Sequence, residues 1–374
     1  MAGIYFHIPF CKRLCGYCDF RRSVLLRHIP QVVERMHEEL DSQCGFLGDR
    51  KIRTIYFGGG TPSLLDPSVF GGFVDHAARL FDCGGVGEIT VELNPDDVTP
   101  EYVGRLRSTP VNRASLGIQS FDDGELRFMG RRHSAEQAER AVRLLQDGGF
   151  DNISVDLIFG MDGFGDETLR RTLDRTLSLG VQHVSAYHLT IEPDTRFGRM
   201  LAAGTMRQVD EERSEREFLA VHDALTAAGF EHYEVSNYAL EGFRSRHNSS
   251  YWTGDEYLGI GAGAHSYAGD IRRWCEQPAD EYAAGIVYGE ERLSRRDRLN
   301  EYVMTSLRRI EGLSLRRIAD GFGEDEAKRI EAAARGFVGS GLLVRKATAD
   351  DDRLMMPPEK FLLSDAVIST FFEI

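Results

Sequence analysis

"AGIYFHIPFCKRLCGYCDF", residues 2–20, runs from a mostly apolar stretch straight into three cysteines. Residues 2–8 read as a buried β-strand: aromatic and β-branched residues, no formal charge besides a histidine, and a proline to end the run. Cys11, Cys15 and Cys18 follow at the spacing C-x3-C-x2-C, with no fourth cysteine in the loop. Disulfides, zinc and an iron–sulfur cluster are the chemistries that thiols so placed can serve.

The whole chain narrows the choice. Its 374 residues carry a formal charge of −14, which argues against broad binding to nucleic acid or to an anionic membrane, since both need a positive surface. No apolar run is long enough to cross a bilayer, so direct membrane insertion is not expected. The opening "MAGIYFHIPF" lacks the charged and long apolar regions of a signal peptide, and the expected location is the cytoplasm. There the six cysteines do not form a disulfide framework. Cys44, Cys83 and Cys275 are scattered and read as small buried residues.

Working outward from residue 8, strand-like runs recur at "IRTIYFGG" (52–59), "EITVELNP" (88–95), "RASLGIQS" (113–120), "NISVDLIFG" (152–160) and "HVSAYHLT" (183–190). Helical periodicity fills the gaps, most clearly at 29–44 and 134–149, the latter opening on a Ser-x-x-Gln capping box. Alternation of this kind predicts an α/β fold with parallel strands and right-handed crossovers, either a partial β/α barrel or a doubly wound sheet. Residues 201–294 are less regular, with an acidic helix at 209–228 and one strand at 232–239. From 295 to 374 three helices and a two-stranded wing predict a C-terminal helical, winged-helix-like domain. The expected division is a barrel over 1–200, a connecting region completing its side over 201–294, and the C-terminal domain.

A structural zinc site closes with four ligands, usually from paired halves, and only one half-like pair is present here. Three thiolates suit a [4Fe–4S] cluster with one iron left open, because clusters of this type are held by cysteine thiolates. Zinc, with His7 as a fourth ligand, is the alternative. Polar and glycine residues also fall at the carboxyl ends of successive strands, where β/α barrels bind ligands. They are Gly59, Gly60 and Thr61 in "GGGTP", Glu92 and Gln119, with Asp156 within the fifth strand and Arg131 shortly after the fourth. The bare glycines would let backbone approach a ligand closely.

"YFHIPFCKRLCGYCDF" (5–20) resembles the signature of the radical S-adenosylmethionine (SAM) proteins, in the branch of oxygen-independent coproporphyrinogen III oxidase and its relatives. The resemblance implies a partial (β/α)6 barrel that holds a [4Fe–4S] cluster through Cys11, Cys15 and Cys18, with SAM on the open iron and an electron from the cluster cleaving SAM to a 5′-deoxyadenosyl radical. It also implies that Tyr5, Tyr17, Gly59, Gly60, Thr61, Glu92, Gln119, Arg131 and Asp156 contact the cofactors.

The oxidase itself carries a further cysteine two residues after the third and an N-terminal extension. This chain has Phe20 there and begins just before the first strand. Both features are similar to the sister group, the heme chaperones, as are "RHNSSYW" (246–252), "YLGIGAGAHSY" (257–267) and "FLLSDAVIST" (361–370). "RRWCE" (272–276) departs from that pattern, which places an asparagine after the aromatic residue. The resemblance implies heme as cargo, passed to acceptor proteins that could belong to the respiratory chain, with a homodimer possible. His247 is the implied heme contact, flanked by Tyr251 and Trp252; its other reading is a hydrogen-bonded core histidine, and His133, His188 and His265 are further candidates. A radical SAM enzyme acting on a porphyrinogen, or performing another oxidation or methylation, is the alternative function, and a structural metal protein that docks partners is the third.

Overall fold

In the computed structural model, which describes residues 2–348 and 351–372, strand β1 (Ala2–Ile8) lies between two parallel neighbours that are far apart in sequence. On one side comes β2 (Ile52–Gly59), then β3 (Glu88–Leu93), β4 (Arg113–Gln119), β5 (Ile153–Phe159) and β6 (His183–His188), each parallel to the one before. A hairpin of β7 (Glu231–Glu234) and β8 (Asn237–Ala239) continues that edge, with β8 antiparallel to β6. On the other side β1 pairs with β9 (Glu256–Ile260), which leads into antiparallel β10 (His265–Ala268), β11 (Ile271–Trp274) and β12 (Gly289–Arg292). All belong to one 12-stranded sheet.

The order β1 to β6 without reversal decides between the two folds left open by alternation. A doubly wound sheet reverses its strand order at a switch point. Consecutive right-handed crossovers without reversal keep the helices on one face and curl the sheet toward a barrel. The chain is therefore singly wound. Its sequence concealed the strands β9–β12, because each is only four or five residues long and the region is punctuated by glycine. The run at 232–239 is a hairpin rather than one strand, turning at Val235–Ser236.

Strand alternation separates two kinds of interior. The outward residues Ile4, Phe6 and Ile8 are buried under helices, and the Phe6 ring packs at 4.9 Å from Phe57 and 4.7 Å from Phe73 of the helix Pro67–Leu80. Burying a side chain of this size stabilises by roughly 1.5–3 kcal/mol. The inward residues are polar instead, including Tyr5, His7, Thr54, Tyr56, Glu92, Arg113, Ser115 and Asp156. A barrel used only as a core fills this space with branched aliphatic side chains. Here it is furnished for a ligand.

The predicted capping box is present: Ser134 and Gln137 satisfy each other's backbone at the start of the helix Ala135–Asp147. At the C-terminus, helices Arg295–Leu307, Leu315–Phe322 and Glu324–Gly339 pack with a small sheet of β13 (Leu313–Ser314), β14 (Val344–Ala347) and β15 (Asp352–Met355). The wing thus has a third strand, too short to show periodicity in sequence. Among the described residues no helix is long and apolar enough to cross a membrane.

Candidate cofactor site

The cysteine loop leaves the carboxyl end of β1 and is tied down by backbone hydrogen bonds. Cys11 N donates to Ser23 O at 3.0 Å, Gly16 N to Met129 O at 2.7 Å, and Phe197 N to Gly16 O at 2.9 Å. A Cβ on Gly16 would sit 2.6 Å from the Phe197 ring, so only glycine fits this crossing. Arg22 braces the loop from within, donating to the carbonyls of Phe20 and Cys18. All six cysteines are free. Of the scattered ones only Cys275 is buried, while Cys44 and Cys83 are half-buried.

Cys11, Cys15 and Cys18 line a cavity of about 440 Å³ at the carboxyl ends of the strands, together with Tyr17, Gly59, Gly60, Thr61, Glu92, Gln119, Arg131 and Asp156. Eleven of the thirteen residues singled out in the sequence thus meet at one chamber. The hydroxyl of Thr61 donates to Cys11 Sγ at 3.3 Å, and Arg131 Nη1 reaches Cys15 Sγ at 3.5 Å. Arg131 Nη2 also donates to Asn94 Oδ1 and Gly117 O, whereas its buried Nε has no partner among the described residues. Glu92 accepts from the Tyr56 hydroxyl at 2.9 Å and from Gly59 N at 3.1 Å.

Gln119 stands apart in its backbone. It has φ 71°, the one positive φ at a non-glycine among the described residues, at a break in register between β4 and β5. A side chain in the left-handed region costs about 1–2 kcal/mol. That strain turns the end of β4 so that Gln119 faces the cavity. Gly117 makes room for it, since a Cβ there would lie 2.9 Å from the Gln119 amide nitrogen.

Burial governs the titration of the chamber. It pushes Glu92 up to about 7, with the charge of Asp156 adding to the effect, and it pushes Asp156 up to about 6. Arg113, 1 % exposed in the barrel floor, pulls both carboxyls partly back down. The Cys18 thiol is raised to about 11 and Cys11 is raised too, again by burial first. These thiols stay protonated unless something positive, such as a metal, stabilises the thiolates.

Two singled-out residues are not at the cavity. Tyr5 lies one layer beneath it, bonded through its hydroxyl to His7 Nδ1 at 3.1 Å and lying against the rings of Tyr56 and His247. His247 is fully buried at the amino end of the barrel, where its Nδ1 meets Thr54 Oγ1 at 2.8 Å and its Nε2 meets Tyr251 Oη at 2.9 Å. Both ring nitrogens are engaged. Glu88 holds its helix in place by accepting from the backbone of Arg246 and His247, each at 2.9 Å. Of the other histidines, His133 is buried against Ile118 O at 3.0 Å, His188 lines the cavity, and His265 is exposed.

The glycines also do something different from what their position suggested. A Cβ on Gly59, at φ 104°, would lie 2.6 Å from the His7 ring, and one on Gly60 would lie 2.7 Å from Phe10 O. Their bareness admits the root of the cysteine loop, and the cavity gains its shape from that close packing. Asn94, Arg113 and Tyr56 escaped the sequence reading. Asn94 had a signal, two residues after Glu92 and just past the end of its strand. Arg113 and Tyr56 had none, because only the barrel's closure shows which strand residues face Glu92.

The donor set fits a cluster better than a single ion. Among the described residues no three His, Cys, Asp or Glu side chains converge closely enough to hold one metal ion. Three thiols from one loop line a single chamber, and Thr61 and Arg131 supply donors to two of the sulfurs.

Comparison with known proteins agrees with this geometry. Residues 5–176 match the model of the radical SAM superfamily. The chain is 34 % identical over 98 % of its length to the heme chaperone HemW of Lactococcus lactis, covering 96 % of that protein. It is 30 % identical to HemW of Bacillus subtilis, over 93 % of this chain and 94 % of the relative. The solved structure of coproporphyrinogen III oxidase (HemN) from Escherichia coli superposes with a TM-score of 0.80 at 20 % identity, over 99 % of this chain and 89 % of the other, a likeness of fold. The chain belongs to the HemW family of the radical SAM superfamily.

Proposed function

We propose that this protein binds heme and hands it to acceptor proteins, with a [4Fe–4S] cluster and SAM held in the cysteine-lined cavity. The observation that carries the reading is likeness along nearly the whole chain to proteins described as heme chaperones. Membership of the radical SAM superfamily implies the cluster and SAM. In this reading Cys11, Cys15 and Cys18 ligate the cluster, which when bound supplies an electron to SAM. Thr61 and Arg131 stabilise the thiolates by donating to sulfur. Glu92 and Asp156 face the cationic and hydroxyl groups of SAM, Gln119 offers an amide, Tyr17 closes one side, and Arg131 also meets a carboxylate.

We further infer that residues 1–200 form the cofactor unit, that 201–294 complete its side and that 295–374 form a separate C-terminal unit. Acceptors in the respiratory chain and a homodimer belong to the same proposal. Support for docking near the cavity comes from the exposed apolar residues Leu14, Phe20, Val24 and Leu25 on and just beyond the cysteine loop. Phe20, where the oxidase branch has a cysteine, is 61 % exposed.

The test is a heme titration of anaerobically reconstituted protein followed at the Soret band, with His247→Ala and His265→Ala beside the wild type. Saturable stoichiometric binding is expected. Absence of binding, together with 5′-deoxyadenosine production coupled to a porphyrinogen, would replace the chaperone by the enzyme.

A further inference from the structure

A second cavity, of about 510 Å³, opens in the C-terminal unit between the helices Arg295–Leu307 and Leu315–Phe322 and strand β15. Among the described residues it is lined by four arginines, Arg309, Arg316, Arg317 and Arg353, and two acids, Asp320 and Asp351, in a chain of −14. Asp351 is engaged by Arg353 Nε at 2.7 Å and by the Ser314 hydroxyl at 2.6 Å, while Asp320 stands 3.9 Å from Arg316. The neighbouring Glu311 is taken by Arg244 at 2.6 Å.

The Nε of Arg309 is buried with no hydrogen-bond partner among the described residues. A buried donor left unpaired costs about 1–3 kcal/mol, more on a charged group. Burial depresses its proton affinity, and the charges of Arg317 and Arg353 add to that against the opposing charge of Glu311. Arg317 is held in position by the ring of Tyr302, over which it lies at 4.7 Å. Like charges gathered in a cleft, one of them half-buried with an Nε that lacks a hydrogen bond, are relieved by an anion.

We propose that this cleft is a binding site for a phosphate group, carried by a small soluble molecule or by a lipid headgroup. A carboxylate offers two oxygens, whereas a phosphate offers three or more acceptors and about two negative charges, enough to engage three guanidinium forks at once. The site is separate from the cysteine-lined cavity and does not depend on the heme reading.

Calorimetric titration of the full chain with inorganic phosphate and pyrophosphate tests it, with succinate as a dicarboxylate control. Saturable phosphate or pyrophosphate binding is expected, weakened at least tenfold in R309A and in R317A and unchanged in R140A, an exposed arginine elsewhere. Arg317 is exposed, so R317A serves even if R309A misfolds. Flotation with vesicles containing phosphatidic acid distinguishes the sources. Capture by vesicles that R317A abolishes assigns a lipid headgroup, and soluble binding without capture assigns a small phosphorylated molecule. No saturable binding in either arm, binding that survives both variants, or a preference for succinate would overturn the proposal.

Discussion

Arg131, which follows β4 by more than a turn of helix, places Nη1 3.5 Å from Cys15 Sγ while its Nη2 bonds Asn94 and Gly117 O. One guanidinium thereby joins the cysteine loop to the ends of β3 and β4. Replacing it with methionine keeps most of the volume but leaves two buried acceptors unpaired, at about 1–3 kcal/mol. Arg131→Met is expected to lower the unfolding midpoint and to retain less iron per chain after anaerobic reconstitution. Full iron content in this variant would show that the cysteine loop holds its shape without the arginine.

His247→Ala should act on stability before it acts on heme. The substitution strands the hydroxyls of Thr54 and Tyr251 and opens a hole in the barrel floor, together worth about 2–4 kcal/mol. The expected result is a clear drop in denaturant midpoint, with heme binding retained in the fraction that stays folded. An unchanged midpoint accompanied by lost heme binding would instead make His247 a ligand that leaves both hydrogen bonds on the way to iron.

Stability should fall as pH rises across the weakly acidic range. The Glu92 carboxyl is raised from 4.5 to about 7 in the fold, so between those values the folded chain holds more protons than the unfolded one. Its favourable contribution is complete below 4.5 and is lost as pH climbs through 7. Asp156 adds the same sign between 3.8 and about 6. Thermal midpoints measured from pH 4 to pH 8 should decline less steeply in Glu92→Gln than in the wild type. Part of the slope will persist, since burial also raises Glu125 and Glu234 to about 7. Identical slopes in both proteins would show that Glu92 is not buried as described.

Gln119→Gly separates strain from function. Glycine adopts φ 71° freely, so the variant should gain about 1 kcal/mol, read as a higher thermal midpoint. The lost amide should weaken SAM binding in equilibrium dialysis. Should SAM bind as before, the twisted end of β4 serves the sheet alone.

Much of the site was legible because its signals are local. The cysteine spacing, the polar residues near the ends of β3 and β4 and the Ser134–Gln137 capping box depend on neighbours within a few residues, and each stands in the structure as read. Alternation likewise announced parallel strands. Winding was not local: it rests on β1 lying between β2 and β9, a strand that begins at Glu256, and on the absence of reversal through β6.

The chain's order of residues by itself determined the pattern of strands and helices, the thiol triplet and the chemistry of the cavity rim. Tertiary structure alone decided which inward side chains reach that rim. Tyr5 and His247, strong by motif, were placed below it, and Asn94 and Arg113, inconspicuous by motif, were set at and beneath Glu92. The physical reason is register. Side chains alternate along a strand with period two, but their height in a barrel depends on how each strand is staggered against the next. That stagger is fixed by packing between residues far apart in sequence, such as Gly3 against Thr54 and His247.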